Sequence, residues 1–384
     1  MKKLFTLAAA GLMSAATFGA HAQVTVDGVL NTAELTSGNY VLVGKYTNPR
    51  GFGDAGLLSL YAASTATKVY FFVGGTVEPN GNSFQLFLDL PATTGVPVGT
   101  SLPAGAAGTS FEKMVAKMDL PVDLALALRS DGTGYKIEGA TYTATAVTSK
   151  NLTGTTPIAG DGTASMLATD VAFPMLATAR VAYKNATGGK LSANPGAIPA
   201  NTTTDYGGAG TYGWEIELDR AAIGALATST LQVFVLQNNG DGGFLSSDYI
   251  PQATTTPTGN GNLGDAPTVN FANVPGRQAA TLSLTATGTV LPTKAANEAS
   301  VAIGVFPNPA SGSTTVSYRV ETATAPVRIE LNDLLGRTVR VVESGVKGAG
   351  AQSKRFDTAD LAAGTYLVRV QVGEKVAVSK VVLR

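Results

Sequence analysis

The chain of 384 residues has no cysteine and one histidine, His21. It also has one tryptophan, and charged residues make up 14% of the total, against about 25% in ordinary soluble domains. Without cysteine there are no disulfides, thiol nucleophiles or iron–sulfur ligands. His21 lies in a segment that reads as a removable leader. Lys2 and Lys3 form a charged start, Leu4 to Phe18 is apolar, and Ala20-His21-Ala22 is a small-residue cleavage site. The mature chain, expected from Gln23, then has neither histidine nor cysteine. That excludes Ser-His-Asp and Cys-His catalysis, zinc held by either residue, and haem held by either residue. No later run reaches the roughly 20 apolar residues of a spanning helix, so no transmembrane segment is expected.

Basic charge is scarce as well. Loss of Lys2 and Lys3 leaves 25 basic against 27 acidic residues, a net of −2. Residues 23–300 carry 14 basic and 20 acidic residues, whereas 301–384 carry 11 and 7. This asymmetry supports two domains, and neither has the dense basic stripe that nucleic acid requires.

What is abundant suits strands: 45 glycines, with many Thr, Ser and Ala. Apolar residues recur at strand spacing over 57–62, 69–73, 84–88, 122–128, 135–143, 179–184, 212–218 and 231–236. Asp131-Gly132-Thr133-Gly134 reads as a hairpin turn. Short helices are expected over Thr109–Met118 and Asp219–Ala225, the latter capped by Asp219. Two long Gly/Pro/Thr/Asn-rich loops span 185–211 and 251–268, and 286–300 reads as a linker. The fold class is therefore all-β, with a large β-sandwich over 23–285 and a small immunoglobulin-like sandwich of about seven short strands over 301–384.

In the second domain Thr314, Val316, Tyr318 and Val320 share one strand face. Val327, Ile329 and Leu331 share another, and Tyr366, Val368, Val370 and Val372 a third. The specific motifs are Pro307-Asn308-Pro309 after Val305-Phe306, Gly336 closing the stretch from Val327, Gly364 and Tyr366 after Leu361-Ala362-Ala363, and Lys380 in the last strand. Together they resemble the type A C-terminal sorting domain of the type IX secretion system. The resemblance implies passage through the periplasm and recognition by the type IX secretion machinery at the outer membrane. It also implies removal of the tail, with release or attachment to surface lipopolysaccharide.

The body has a looser likeness. Val26-Asp27-Gly28-Val29-Leu30, Asn82–Asp89, Trp214–Gly224 and Val233–Pro251 resemble parts of family 9 carbohydrate-binding modules and related DOMON-like sandwiches. That implies a polysaccharide ligand. Sugar modules of this kind hold ligands between aromatic faces, but Trp214 shares parity with Ile216 and Leu218 and is expected in the core. The exposed-aromatic candidates for glycan contact are Phe52, Tyr206, Tyr212, Phe244 and Tyr249, each also readable as a loop anchor. A haem-binding variant of the fold is set aside, because Met114, Met118, Met166 and Met175 read as core filler.

Two further readings concern oxygen ligands and acids. Asn239, Asp241 and the nearby Asp248 could bind calcium through hard oxygens, although Asn-Gly-Asp-Gly is also ordinary turn chemistry. Glu215, Glu217 and Asp219 alternate along one strand, about 6.5–7 Å apart. That is within reach of glycosidase spacings, and the order is loosely like the family 16 glycosidase signature. The simpler reading puts both glutamates in water and uses Asp219 as a cap. A non-enzymatic carbohydrate-binding surface module is the leading expectation. A structural or adhesive protein is the alternative, and a glycosidase using Glu215 and Glu217 is third.

Overall fold

The computed structural model describes residues 24–36, 39–46, 53–154, 156–196, 207–226, 228–252, 262–274, 278–285, 290–292, 301, 303–333, 338–373 and 375–384. Residues 1–22, expected to be a leader, and Phe52, Tyr206 and Gly336 lie outside them.

The body opens with β1 (Val29–Leu30), helix α1 (Thr32–Thr36), β2 (Tyr40–Lys45), β3 (Gly56–Ser64), β4 (Lys68–Thr76) and β5 (Ser83–Asp89). It continues with β6 (Leu124–Ser130), β7 (Tyr135–Tyr142), β8 (Val147–Asn151), β9 (Ser165–Met166), β10 (Arg180–Tyr183) and β11 (Thr211–Asp219). Last come β12 (Ser229–Asn238), β13 (Phe244–Ile250), β14 (Gly264–Asp265), β15 (Ala280–Leu284) and β16 (Val290–Pro292). One sheet runs β2-β3-β4-β11-β10-β9, with β1 added at the end of β11. The other runs β14-β13-β12-β5-β6-β7-β8, with β15 on β12 and β16 on β15. Strand pairing thus continues to Pro292, inside the segment expected to be linker.

All eight strand segments expected in the body form, and Asp131 N–H bonds to the Gly134 carbonyl in the hairpin between β6 and β7. Between the sheets lies one apolar cluster that includes Phe71, Val73, Trp214 and Ile216 from one sheet and Phe84, Leu86, Leu126 and Val235 from the other. The alternate positions of these strands are buried too. On the outer face of the nine-stranded sheet, Phe87, Ala127, Phe234 and Tyr249 are covered by Phe111, Met114, Met118 and Phe271 from irregular segments. On the outer face of the seven-stranded sheet, Tyr40, Tyr61, Tyr70 and Phe72 are covered by Val24, Val26 and Leu30. The chain therefore covers both broad faces of its own sandwich. That explains why β3, β4 and β5 read as near-continuous apolar runs rather than clean alternations.

Neither expected body helix forms. Residues 109–113 are turns and 114–118 are irregular apart from a bridge at Lys117, and polar groups bond outward, with Ser110 N–H donating to Glu138 and Thr109 Oγ1 to the Ala106 carbonyl. Asp219 does accept from Ala221 and Ala222 N–H at 2.9 and 3.2 Å, but the chain makes one turn only. The Arg220 side chain takes the Ala225 and Leu226 carbonyls. Met114 and Met118 fill the core as expected, whereas Met166 is exposed.

The tail holds β17 (Gly304–Ser311), β18 (Ser313–Asn332), β19 (Thr338–Asp357), β20 (Gly364–Val372) and β21 (Lys375–Leu383). They form one sheet, β17-β21-β20-β18-β19, which β17 nearly closes by also pairing β18. Five strands stand where about seven short ones were expected, because the link between two expected strands stays extended. The first part of β18 pairs β17, Gly304 opposite Ser317, and its second part pairs β20, Ile329 opposite Val370. The expected inward rows hold: Val316, Tyr318, Val320, Val327, Ile329, Leu331, Val368 and Val370 form the tail's core.

Candidate functional site

The acid row on β11 divides into three separate jobs. Glu215 is fully buried. Its Oε2 accepts from the Asp27 and Gly28 N–H groups at 2.9 and 3.0 Å, and its Oε1 accepts from the Tyr40 hydroxyl at 2.6 Å. Burial pushes its carboxyl up to about 8, a rise that these three hydrogen bonds oppose. The expectation that Glu215 faces water is therefore corrected: residues 24–30 lie over that face and are pinned by it. Gly28 is required there, since a Cβ would meet the Lys184 nitrogen at 2.5 Å with φ at +68°. Glu217, also buried, is paired with Arg180 at 3.2 Å and approached by Lys68 at 3.7 Å. Asp219 caps its turn. A retaining or inverting glycosidase needs two carboxyls that both reach a sugar, and Glu215 here reaches only its own chain.

The candidate calcium ligands are likewise held by different partners. Asn239 and Asp241 build the turn between β12 and β13, where Gly242 N–H bonds to the Asn239 carbonyl and Phe244 N–H to Asn239 Oδ1. Asp241 Oδ1 accepts from Gly243 N–H, and its Oδ2 is 2.7 Å from Lys113 Nζ. The Lys113 bond lowers the Asp241 carboxyl below its ordinary range. Asp248 is buried in β13 and accepts from Leu57 N–H at 3.1 Å. Among the described residues no group of three or more His, Cys, Asp or Glu side chains is placed to hold a metal.

Of the aromatic candidates, Tyr249 is fully buried, with its ring centroid 5.4 Å from that of Phe271, so it belongs to the core and not to a ligand site. Tyr212 is half-buried, with Lys184 Nζ 5.7 Å from its ring centre. Phe244 is 37% exposed and is the one exposed aromatic among the described residues of the body. It adjoins an open groove of about 400 Å³ lined by Ala104, Glu112, Lys113, Val115, Gly243, Asp265 and Pro267. Phe244 follows Gly243 in the chain and pairs across the sheet with Asp265. The groove exists because segment 104–115 docks on the hairpin. Lys113 N–H donates to the Asp241 carbonyl at 2.8 Å, and Gly242 lets Ser110 approach so closely that a Cβ would sit 2.2 Å from its carbonyl. Glu112, Lys113 and Asp265 were not among the sequence candidates. The Lys113–Asp241 pair joins residues 128 apart, and no local pattern announces such a contact.

In the tail, Asn308 Nδ2 donates to the Lys380 carbonyl at 2.8 Å, and Val382 N–H donates to Asn308 Oδ1 at 2.9 Å. The Tyr366 hydroxyl donates to the Ala362 carbonyl at 2.9 Å, fastening the entry to β20, and Gly364 pairs with Leu383 at the same end. Four of the motif residues, Asn308, Gly364, Tyr366 and Lys380, thus meet along β21.

The fold is that of an all-β protein with a small, nearly closed terminal sheet. Residues 304–384 match the family model of the secretion system C-terminal sorting domain, so the tail is a sorting domain and the chain is a cargo exported across the membranes to the cell surface or beyond. No curated protein matches the chain. Among solved structures it is similar to dimeric latent PorU from Porphyromonas gingivalis, at 13% identity and TM-score 0.20, over 83% of this chain and 32% of that one. It is also similar to the BSP domain of a biofilm associated protein, at 9% identity and TM-score 0.17, over 94% of this chain and 53% of that one. The chain thus spans about a third and about half of those two proteins, and likenesses this distant carry no argument. No helix among the described residues is long and apolar enough to cross a membrane.

Proposed function

We propose that the exported body is a non-catalytic module that binds polysaccharide in the groove beside Phe244. The observation that carries this reading is the groove's composition. Its lining holds Lys113, Glu112 and Asp265, Asp241 is paired with Lys113, and the partly exposed Phe244 ring follows the lining residue Gly243, the mixture of apolar face and hydrogen-bonding groups that sugars use. The likeness of Val26–Leu30 and Val233–Pro251 to carbohydrate-binding modules supports it. The burial of Glu215 supports the non-catalytic part, since the acid pair that suggested hydrolysis is occupied in folding. The secretion machinery is the partner of the tail, and tail removal with release or attachment to lipopolysaccharide is the fate proposed for the mature product.

The test is affinity electrophoresis of the exported protein across a broad polysaccharide panel, with Phe244→Ala and Lys113→Ala alongside. Selective retardation that falls at least tenfold in apparent affinity in Phe244→Ala is the expected result. A second reading has its own observation: both broad faces of the sandwich are covered by the chain itself, which suits an adhesive or structural scaffold. Absence of retardation on every polymer, or retardation indifferent to both substitutions, favours that scaffold.

A further inference from the structure

The seam that closes the tail differs from the rest of its sheet. β17 and β21 run parallel, whereas every other paired strand in the tail is antiparallel. Among the described residues the one backbone pair in this seam is Ala310 with Leu383, secured by Arg384 N–H on the Ala310 carbonyl at 2.9 Å. Two residues earlier the strand is Pro307-Asn308-Pro309, and the prolines have no N–H to contribute.

The Asn308 side chain, not its backbone, makes the bonds to β21 at this point. In a parallel ladder, a residue opposite position j donates to the carbonyl of j−1 and accepts from the N–H of j+1. Asn308 Nδ2 donates to Lys380, and its Oδ1 accepts from Val382, so the carboxamide stands opposite Val381. Ala310 then stands opposite Leu383, two residues further on both strands, which is the register a continuous parallel ladder would have. The carboxamide therefore occupies the place of a peptide group in the ladder to β21, while Pro307 and Pro309 stand at the alternate positions, toward β18, where pairing breaks between Phe306 and Ser311. From the other side, buried Thr314 Oγ1 donates to the Pro307 carbonyl at 3.0 Å and holds the same segment.

We infer that Asn308 is the latch of the sorting domain: its carboxamide, standing in for a backbone amide, closes the sheet, and the secretion machinery accepts the closed form. On this inference the Pro-Asn-Pro motif serves export by building the seam rather than by being read itself. The prolines leave the β18 side of this segment without N–H donors, and the asparagine sets the register of the last strand.

The test uses the full chain in a host with a working type IX system and compares wild type with Asn308→Ala, Asn308→Asp and Thr314→Val. Two quantities are read: the amount exported, and hydrogen exchange over residues 380–384 of the protein retained in the periplasm. Asn308→Ala should raise exchange at Val382 about tenfold, as loss of a hydrogen bond worth ~1.4 kcal/mol would, and reduce export. Asn308→Asp keeps the acceptor for Val382 and loses the donor to Lys380, so it should fall between. Thr314→Val loosens the seam without touching Asn308 and should lower export in step with its own rise in exchange. Loss of export in Asn308→Ala with unchanged exchange would overturn the inference and make the side chain a direct contact for the machinery. Normal export from a variant whose seam exchanges freely would overturn it equally. If Asn308→Ala does not accumulate, Thr314→Val and Asn308→Asp still decide between these outcomes.

Discussion

β4 in the body and β19 in the tail are both strands of a finished sheet, yet eight of the nine residues of β4 are buried and only one of the twenty of β19 is. The body folds irregular segments over both outer faces of its sandwich; the tail keeps a single core inside a sheet whose outside is mostly left to solvent. The difference has a physical consequence. A strand buried on both sides draws hydrogen-bond partners from within the protein, and the body holds Glu215, Arg220 and Glu138 in fixed hydrogen-bond sets. The tail meets this demand at few points of its outer face, chiefly at Glu330, which is 8% exposed and held by Arg328 and Arg369.

The largest expected effect tests whether the outer layer is part of the cooperative body. Glu215→Ala would leave the Asp27 and Gly28 N–H groups and the Tyr40 hydroxyl without their acceptor in a buried layer. Each orphaned buried donor costs about 1–3 kcal/mol, so a loss of about 3 kcal/mol or more is expected in urea denaturation. A wild-type midpoint would mean that residues 24–30 are ornament and that the seven-stranded sheet is open after all. Glu215→Gln should be milder and should change the pH dependence. Burial raises this carboxyl from 4.5 to about 8, so the native state keeps a proton that the unfolded chain releases. Stability therefore falls as pH rises from about 4.5 to about 8, then levels off, and the glutamine variant flattens that slope. Burial of Asp123, raised to about 6, adds a smaller decline over the lower part of the same range.

Next in size is Arg220. Its guanidinium donates to the carbonyls of Thr65, Ala225, Leu226 and Thr285 while the residue is 3% exposed, tying three separate segments together. Arg220→Met keeps the stem and strands those carbonyls, for an expected loss of about 2 kcal/mol in the same denaturation assay. An unchanged midpoint would show that water replaces the guanidinium there, as it would on the tail's outer face.

The same contrast explains what could be read in advance. The tail's rows of Val316, Tyr318, Val320 and Val327, Ile329, Leu331 alternate because one side is wet, so period-two reasoning found its inward face directly. In the body the strands were found but the outer faces were not. Glu215 alternates with Trp214 and Ile216, and alternation alone assigns it to water; the segment that covers it lies 187 and 188 residues away. Tyr249 stands beside a polar turn and reads as exposed, yet Phe271 covers it from a single 3-10 turn, Phe271–Asn273, too short to show a periodic pattern. The Asp219 cap was legible, and the helix after it was not, because Arg220 uses the carbonyls that a second turn would need. Long-range cover and side-chain capture of backbone groups leave no periodic trace.

The smallest expected effect is the sharpest test of the comparison, because it makes one substitution in both places. Val346, on β19, is 69% exposed, and Val26, over the outer face of the seven-stranded sheet, is 4% exposed. Valine to threonine replaces a methyl with a hydroxyl of nearly equal size, so the change in stability reports mainly what surrounds that hydroxyl. At Val26 the hydroxyl enters the cluster of Tyr40, Tyr61, Tyr70 and Phe72, and a loss of about 1–2 kcal/mol is expected. At Val346 it meets water, and the change should stay within about 0.5 kcal/mol. Equal effects at the two sites would erase the distinction between a self-covered body and an open tail. A large loss confined to Val346 would mean that β19 is covered in solution, and the outward face of the sorting domain would then have to be sought elsewhere on its sheet.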